Sequence, residues 1–124
     1  TVLSNLYDIA ADEYEIHLNF PGGTPTDGPS AGVTMAVALY SAIKQLPVDN
    51  YLAMTGEIAI NGRIKPVGGV SDKIQAAVQM GSFAELPIEI IAISHIEEAL
   101  ETAFTAGREN SALKEPLQAR AAAL

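Results

Sequence analysis

The chain has 124 residues, 48% of them hydrophobic, enough for the core of one compact domain but not for a two-domain enzyme. Seven Lys and Arg against 15 Asp and Glu give a formal charge of -8, which argues against a nucleic-acid partner because phosphate backbones are held by clustered cations. With no Cys and only His17 and His95, the chain can build neither a disulfide framework nor a zinc site of its own, so no metal or redox chemistry is expected.

Val2, Leu3, Leu6, Tyr7 and Ala10 recur at helical spacing and predict a short amphipathic helix over residues 2–11, ended by Asp12-Glu13. From Tyr14 to Phe20 apolar and polar residues alternate, the period of a strand with one buried face, and His17 falls on the solvated side. Pro21 to Pro29 is rich in Gly, Pro and Thr and reads as a loop; a helical stretch follows from Ser30 to Leu46, with Ser30 at its head. Its apolar part, Ala31 to Ile43, is interrupted by Thr34 and Ser41 and falls short of the ~20 residues of a membrane helix, so no membrane contact is expected. The first residues carry no basic region and no cleavage site of an export signal, and a cytoplasmic location is expected.

Tyr51 to Ile60 and Arg63 to Val67 flank Asn61-Gly62 and predict a hairpin with a two-residue turn. Gly68-Gly69 closes it, and Ser71-Asp72 can cap a helix ending at Gly81, in which Ile74, Ala77 and Val78 share a face and Lys73 lies in the first turn. Pro87 to Ile93 reads as a mostly buried strand, and Ser94 with Glu97 and Glu98 starts a helix running through Phe104, His95 being a surface residue. Residues 1–104 thus form the domain; residues 105–124 read as a polar, Ala-rich tail with at most a marginal helix and no chemistry.

A rigid Gly/Pro loop ending in Ser30, a lysine at the head of a second helix and no histidine placed as a base suggest a serine nucleophile activated by lysine. An ordinary lysine is protonated at neutral pH, so burial and the positive end of the helix dipole must favour the neutral amine of Lys73. Backbone N–H groups at the head of the Ser30 helix can stabilise an oxyanion without reorganising, while Gly28 and Gly32 leave room for a substrate strand. The same residues also admit a purely structural reading, Ser30 as a helix cap and Lys73 as a solvated charge. Gly23 to Ser30 follows the P-loop pattern except that Pro29 replaces its lysine and removes an N–H, and Asp27 adds negative charge where phosphates would sit; nucleotide binding is not expected here.

Asp27-Gly28-Pro29-Ser30-Ala31-Gly32, followed in order by Met54-Thr55-Gly56-Glu57 and Gly68-Gly69-Val70-Ser71-Asp72-Lys73, closely resembles the proteolytic domain of Lon, the ATP-dependent protease. The resemblance runs from about Tyr14 to Gly81, resumes from Pro87 to Phe104, and includes the 43-residue separation of Ser30 and Lys73. Pro47-Val48-Asp49-Asn50 and Lys65-Pro66-Val67-Gly68-Gly69 look most like the Lon branch found beside the main enzyme in spore-forming bacteria.

The resemblance implies an α+β fold, a mixed β-sheet with packed helices, and a serine endopeptidase in which Ser30 is the nucleophile and Lys73 the general base, then general acid. Thr55 is expected to hydrogen-bond Lys73, Glu57 to support it less directly, and Asp27 to gate the loop before the nucleophile or shape its turn. Implied substrates are unfolded polypeptides or peptides arriving as extended strands, and the implied assembly is a homohexamer. No cofactor is expected in the domain; ATP and magnesium belong to the ATPase module with which the family couples it. Two departures stand out: the family's β-rich portion before the first helix is missing, and Gly81 adjoins Ser82 where the family continues into a strand and a loop. The alternative is a non-catalytic or conformationally inactive oligomerisation module of Lon type.

Overall fold

The computed structural model describes residues 2–22, 28–79 and 89–104, together with the backbone of residues 88, 105–113 and 119–122. In chain order the elements are α1 (Val2–Tyr7), a 3-10 turn (Ala11–Glu13), a second 3-10 turn (Pro29–Ala31), α2 (Gly32–Lys44), β1 (Leu52–Met54), β2 (Glu57–Ile58), β3 (Ile64–Lys65), α3 (Val70–Gln79), β4 (Ile88–Ile91), α4 (Ile96–Leu113) and β5 (Ala119–Ala122). β5 lies between β1 and β4 and runs parallel to both, while β2 and β3 form a separate antiparallel pair. Helices and both strand senses therefore coexist, as the α+β reading requires.

The core forms where α2 meets α4. Val33, Val37 and Ile96 are completely enclosed, and the small Ala36, Ala99 and Ala103 let the two helices approach. Val33, Ala36 and Val37 recur three and four residues apart, so one stripe of α2 is buried, and its apolar composition holds the helix in place more than intrinsic propensity does. α2 ends where Gln45 turns left-handed at φ 53° and donates its N–H to the Ser41 carbonyl. Tyr40 on α2 bridges Tyr7 of α1 and Phe104 of α4, with ring centroids 5.2 and 5.6 Å away.

Several expectations need correction. The first helix stops at Tyr7 rather than near residue 11, because Asp8 adopts φ 51° and leaves the right-handed region. Tyr14 to Phe20 forms no strand and has no ladder partner among the described residues, and periodicity alone cannot supply one. Its apolar residues remain 45–56% exposed. Tyr14, Ile16 and Leu18 border an apolar cleft of about 290 Å³ whose other walls include Leu3, Met35 and Leu39.

The hairpin is present with a three-residue turn instead of two: Ala59 N–H donates to the Arg63 carbonyl at 2.8 Å and Gly62 N–H to the Ala59 carbonyl at 2.9 Å. Gly62, at φ 84°, occupies the left-handed position that such a turn needs. The long strand read over residues 51–60 is interrupted at Thr55-Gly56 and divides into β1 and β2, which belong to different sheets. α4 does not end at Phe104 but continues to Leu113, and residues 119–122 form β5, so the segment read as a tail contributes a strand. The Gly81–Ser82 junction, the expected end of α3 at Gly81 and the Pro87 start of β4 lie outside the described residues.

At the start of α4 Glu98 reaches back as the capping pattern anticipates, while the Ser94 hydroxyl donates to Glu98 rather than accepting from a backbone N–H. Glu98 Oε1 accepts from the Ser94 N–H at 3.0 Å, the Ser94 hydroxyl at 2.9 Å and the His95 N–H at 3.1 Å. These hydrogen bonds, those to Ser94 foremost, hold the Glu98 carboxyl below the ordinary glutamate range. The stabilisation is therefore complete above the unfolded-state value and is lost as pH falls through the lower folded-state value. Glu98→Gln should lower the melting temperature at pH 7, and the gap between the two proteins should close as pH drops below ~4.3. Melting curves from pH 7 to pH 3 check this; a gap that stays constant with pH contradicts the assignment.

Candidate active site

Ser30 occupies the middle of the 3-10 turn that leads into α2 and is half-buried. Pro29 opens this turn with its φ already suited to a helical start, and Gly28 precedes it at φ 94°, ψ 161°. That conformation is open almost exclusively to glycine, so the residue two before the serine must lack a β-carbon. Ser30 is not the cap of α2: the N-cap positions fall on Gly28 and Ala31, neither with a side-chain cap bond. The structural reading of Ser30 as a capping hydroxyl therefore does not apply.

The main chain of the serine is held by the break between β1 and β2. Gly56 N–H donates to the Ser30 carbonyl at 2.8 Å, and the Gly56 carbonyl accepts from Val33 N–H at 3.1 Å. Thr55 adds its hydroxyl to the same Ser30 carbonyl at 3.4 Å, and the Thr34 hydroxyl reaches the Met54 carbonyl at 3.2 Å. Four hydrogen bonds thus join residues 54–56 to the head of α2. The approach is close enough that a β-carbon on Gly32 would meet Ile58 Cγ2 at 3.0 Å and the Ile58 nitrogen at 3.1 Å.

Lys73 lies in the first turn of α3, as expected, half-buried and with its N–H donated to the carbonyl of Gly69, which turns left-handed at φ 66°. Among the described residues no hydrogen bond joins the Ser30 hydroxyl and the Lys73 amine. Thr55 takes a different partner from the one anticipated, the serine carbonyl rather than the lysine, because it sits where the chain turns towards α2. Glu57 likewise faces Lys65, its register partner on β3, with the amine 3.4 Å from the carboxylate. Directly opposite residues of an antiparallel pair share a face, which explains that pairing. Asp27 lies outside the described residues.

The gripping role of Gly56, Val33 and Thr34 was missed by reading the sequence. One signal was available, since a glycine inside a strand-like run often marks close approach of another backbone. Among the described residues, no group of three His, Cys, Asp or Glu side chains is placed to hold a metal ion, and no helix is long and apolar enough to cross a membrane.

Residues 4–106 match the family described as the Lon protease (S16) C-terminal proteolytic domain. The chain is 48% identical over 103 residues to Lon protease 2 of Bacillus subtilis, a match covering 72% of this chain and 19% of that protein. It is 43% identical over 113 residues to Lon protease of Syntrophomonas wolfei, covering 76% and 14%, and 38% identical over 129 residues to Lon protease of Nitratidesulfovibrio vulgaris, covering 86% and 16%. The chain therefore spans no more than about a fifth of the length of these relatives. The last alignment is longer than the chain, so that relative carries internal residues with no counterpart here.

Crowding at Gly32 and the Thr55 bond can be tested separately. Gly32→Ala should push β2 away from the serine and destabilise the fold by about 1–3 kcal/mol in urea titration. Thr55→Val should cost about 0.5–1.5 kcal/mol, and Thr55→Ser, which keeps the hydroxyl, should recover most of it. A fully stable Gly32→Ala protein would mean that α2 and β2 are less tightly joined than these distances imply.

Proposed function

The chain belongs to the Lon protease family through the S16 C-terminal proteolytic domain, and from this we propose that it is a serine endopeptidase whose nucleophile is Ser30 and whose general base is Lys73. The observation that carries the reading is the placement of Ser30 at the head of α2, its carbonyl gripped by Thr55 and Gly56 while its hydroxyl caps no helix. A nucleophile needs this combination: a fixed main chain to hold the attack angle and a side chain not committed to structure.

In the proposed reaction the Ser30 hydroxyl attacks a peptide carbonyl while the neutral Lys73 amine takes its proton. Lys73 then returns that proton to the leaving amine as the C–N bond breaks. Water, activated by Lys73, hydrolyses the acyl ester and restores both side chains. Gly32 N–H is used by the Pro29 carbonyl and Val33 N–H by Gly56, so the Ser30 and Ala31 N–H groups are the proposed oxyanion donors. Thr55 acts through the position of Ser30, and Asp27 belongs to the proposed loop before it. Glu57, engaged with Lys65, is left out of the proton path.

The proposed substrates are unfolded polypeptides binding as extended strands. A homohexameric assembly, a cytoplasmic location and coupling to an ATPase module that uses ATP and magnesium are parts of the same proposal, and none enters the chemical steps. A conformationally inactive or non-catalytic module is the competing reading; on its side is the missing Ser30–Lys73 hydrogen bond among the described residues. Catalytic hydrogen bonds often tighten only when substrate binds.

Intact-mass spectrometry after treatment with a peptidyl fluorophosphonate separates the two. One adduct, lost in Ser30→Ala, is expected. Lys73→Arg should reduce peptide hydrolysis by about 10²–10⁴-fold, because a guanidinium cannot give up its proton at neutral pH. No adduct on a folded protein favours the inactive module, and full activity in Lys73→Arg removes lysine from the base role.

A further inference from the structure

Of the five asparagines in the chain, only Asn61 precedes a glycine; Asn5, Asn19, Asn50 and Asn110 precede Leu6, Phe20, Tyr51 and Ser111. An asparagine loses its side-chain ammonia when the next backbone nitrogen attacks Cγ, and a glycine, lacking a β-carbon, leaves that nitrogen open to the approach. Whether the attack can occur depends on how the fold holds the peptide unit between the two residues.

Asn61 is exposed at the hairpin turn, whereas Gly62 is buried. The Asn61 Oδ1 accepts from the Arg63 N–H at 3.1 Å, which keeps the carboxamide over the turn and draws electrons away from Cγ. The peptide unit that follows is held at both ends. Its carbonyl accepts from His95 Nε2–H at 3.2 Å, and its N–H donates to the Ala59 carbonyl at 2.9 Å. His95 Nδ1 in turn accepts from the Glu97 N–H at 3.3 Å, which seats the ring on the first turn of α4. The Gly62 carbonyl accepts from the Ile96 N–H at 2.9 Å. A β-carbon on Gly62 would stand 2.7 Å from Leu6 Cδ1 and 2.8 Å from the His95 ring, so α1 and α4 both press on the glycine. While these contacts last, the Gly62 nitrogen cannot turn towards Cγ.

We propose that Asn61-Gly62 is a site of deamidation and isoaspartate formation whose rate is set by separation of the turn from the start of α4. In the separated state Gly62 gives its amide proton to a solvent base, and its nitrogen forms a bond to Asn61 Cγ. The bond from Cγ to the side-chain nitrogen breaks, and that nitrogen leaves as ammonia after taking a proton from water. Water then opens the cyclic imide at either carbonyl, giving aspartate or its β-linked isomer; overall, water is consumed and ammonia released. The β-linked product routes the main chain through the former side chain, which lengthens the turn by a carbon and leaves a free carboxylate in it. A turn closed by the Ala59–Arg63 and Gly62–Ala59 hydrogen bonds, with Gly62 at φ 84°, cannot keep that geometry in a longer chain. The Gly62 carbonyl and the Ile96 N–H then do not rejoin, and a reversible local opening becomes permanent.

Incubation of the full chain in water labelled with heavy oxygen at mildly alkaline pH, followed by peptide mapping, tests this with and without guanidinium chloride. Labelled isoaspartate at Asn61 is expected in both conditions, at least about tenfold more slowly in the folded protein, because only the separated turn reacts. His95→Ala, which frees the Asn61 carbonyl, should raise the folded rate about three- to tenfold and leave the rate in denaturant unchanged. Ser41→Ala, which removes a hydrogen bond to the Leu46 carbonyl at the far end of α2, should alter neither rate. The proposal is overturned by an unmodified Asn61, by equal rates in folded and denatured protein, or by a folded rate in His95→Ala no higher than in Ser41→Ala.

Discussion

Much of this structure depends on the main chain of one glycine. Gly56 donates to Ser30 and accepts from Val33, so its two backbone groups link a break between strands to the first turn of a helix. That link divides the stretch after the α2 loop into two short strands in different sheets, and it sets a spacing between α2 and β2 at which a β-carbon on Gly32 would crowd Ile58. It also fixes the serine main chain without using the serine hydroxyl. The buried stripe of α2, beginning at Val33, is aligned by the same contact, which couples core packing to the geometry of the proposed nucleophile.

Elements defined by local chemistry were legible before any coordinates. α2 announces itself through a long apolar run, the start of α4 through Ser94 and Glu98, and the hairpin through Asn61-Gly62. Features that depend on distant partners were not. Tyr14 to Phe20 carries a strand's period, yet its ladder requires a neighbour, and among the described residues it has none. β5 comes from a segment of weak local signal, and only its pairing with β1 and β4 makes it a strand.

The site shows the same division. The positions of Ser30 and Lys73 near two helix starts followed from the Gly- and Pro-rich loops before them, although α3 begins at Val70, ahead of the Ser71-Asp72 pair read as its cap. Hydrogen-bond partners did not follow, since Thr55 and Glu57 answer to local register and the turn of the chain. The family match gives these positions a protease context, while the grip of Gly56 on the serine emerges only from the folded backbone.

The hairpin turn and the start of α4 also determine how the molecule opens. Ile96 N–H donates to the Gly62 carbonyl and Ile64 N–H to Ser94, both at 2.9 Å, and the His95 ring lies 3.2 Å from the Asn61 carbonyl. Neither amide can reach solvent deuterium unless the turn and the helix start separate. Two segments distant in sequence therefore form a single unit of amide exchange, with the protection of Ile64 tied to that of Ile96 rather than to its strand neighbours.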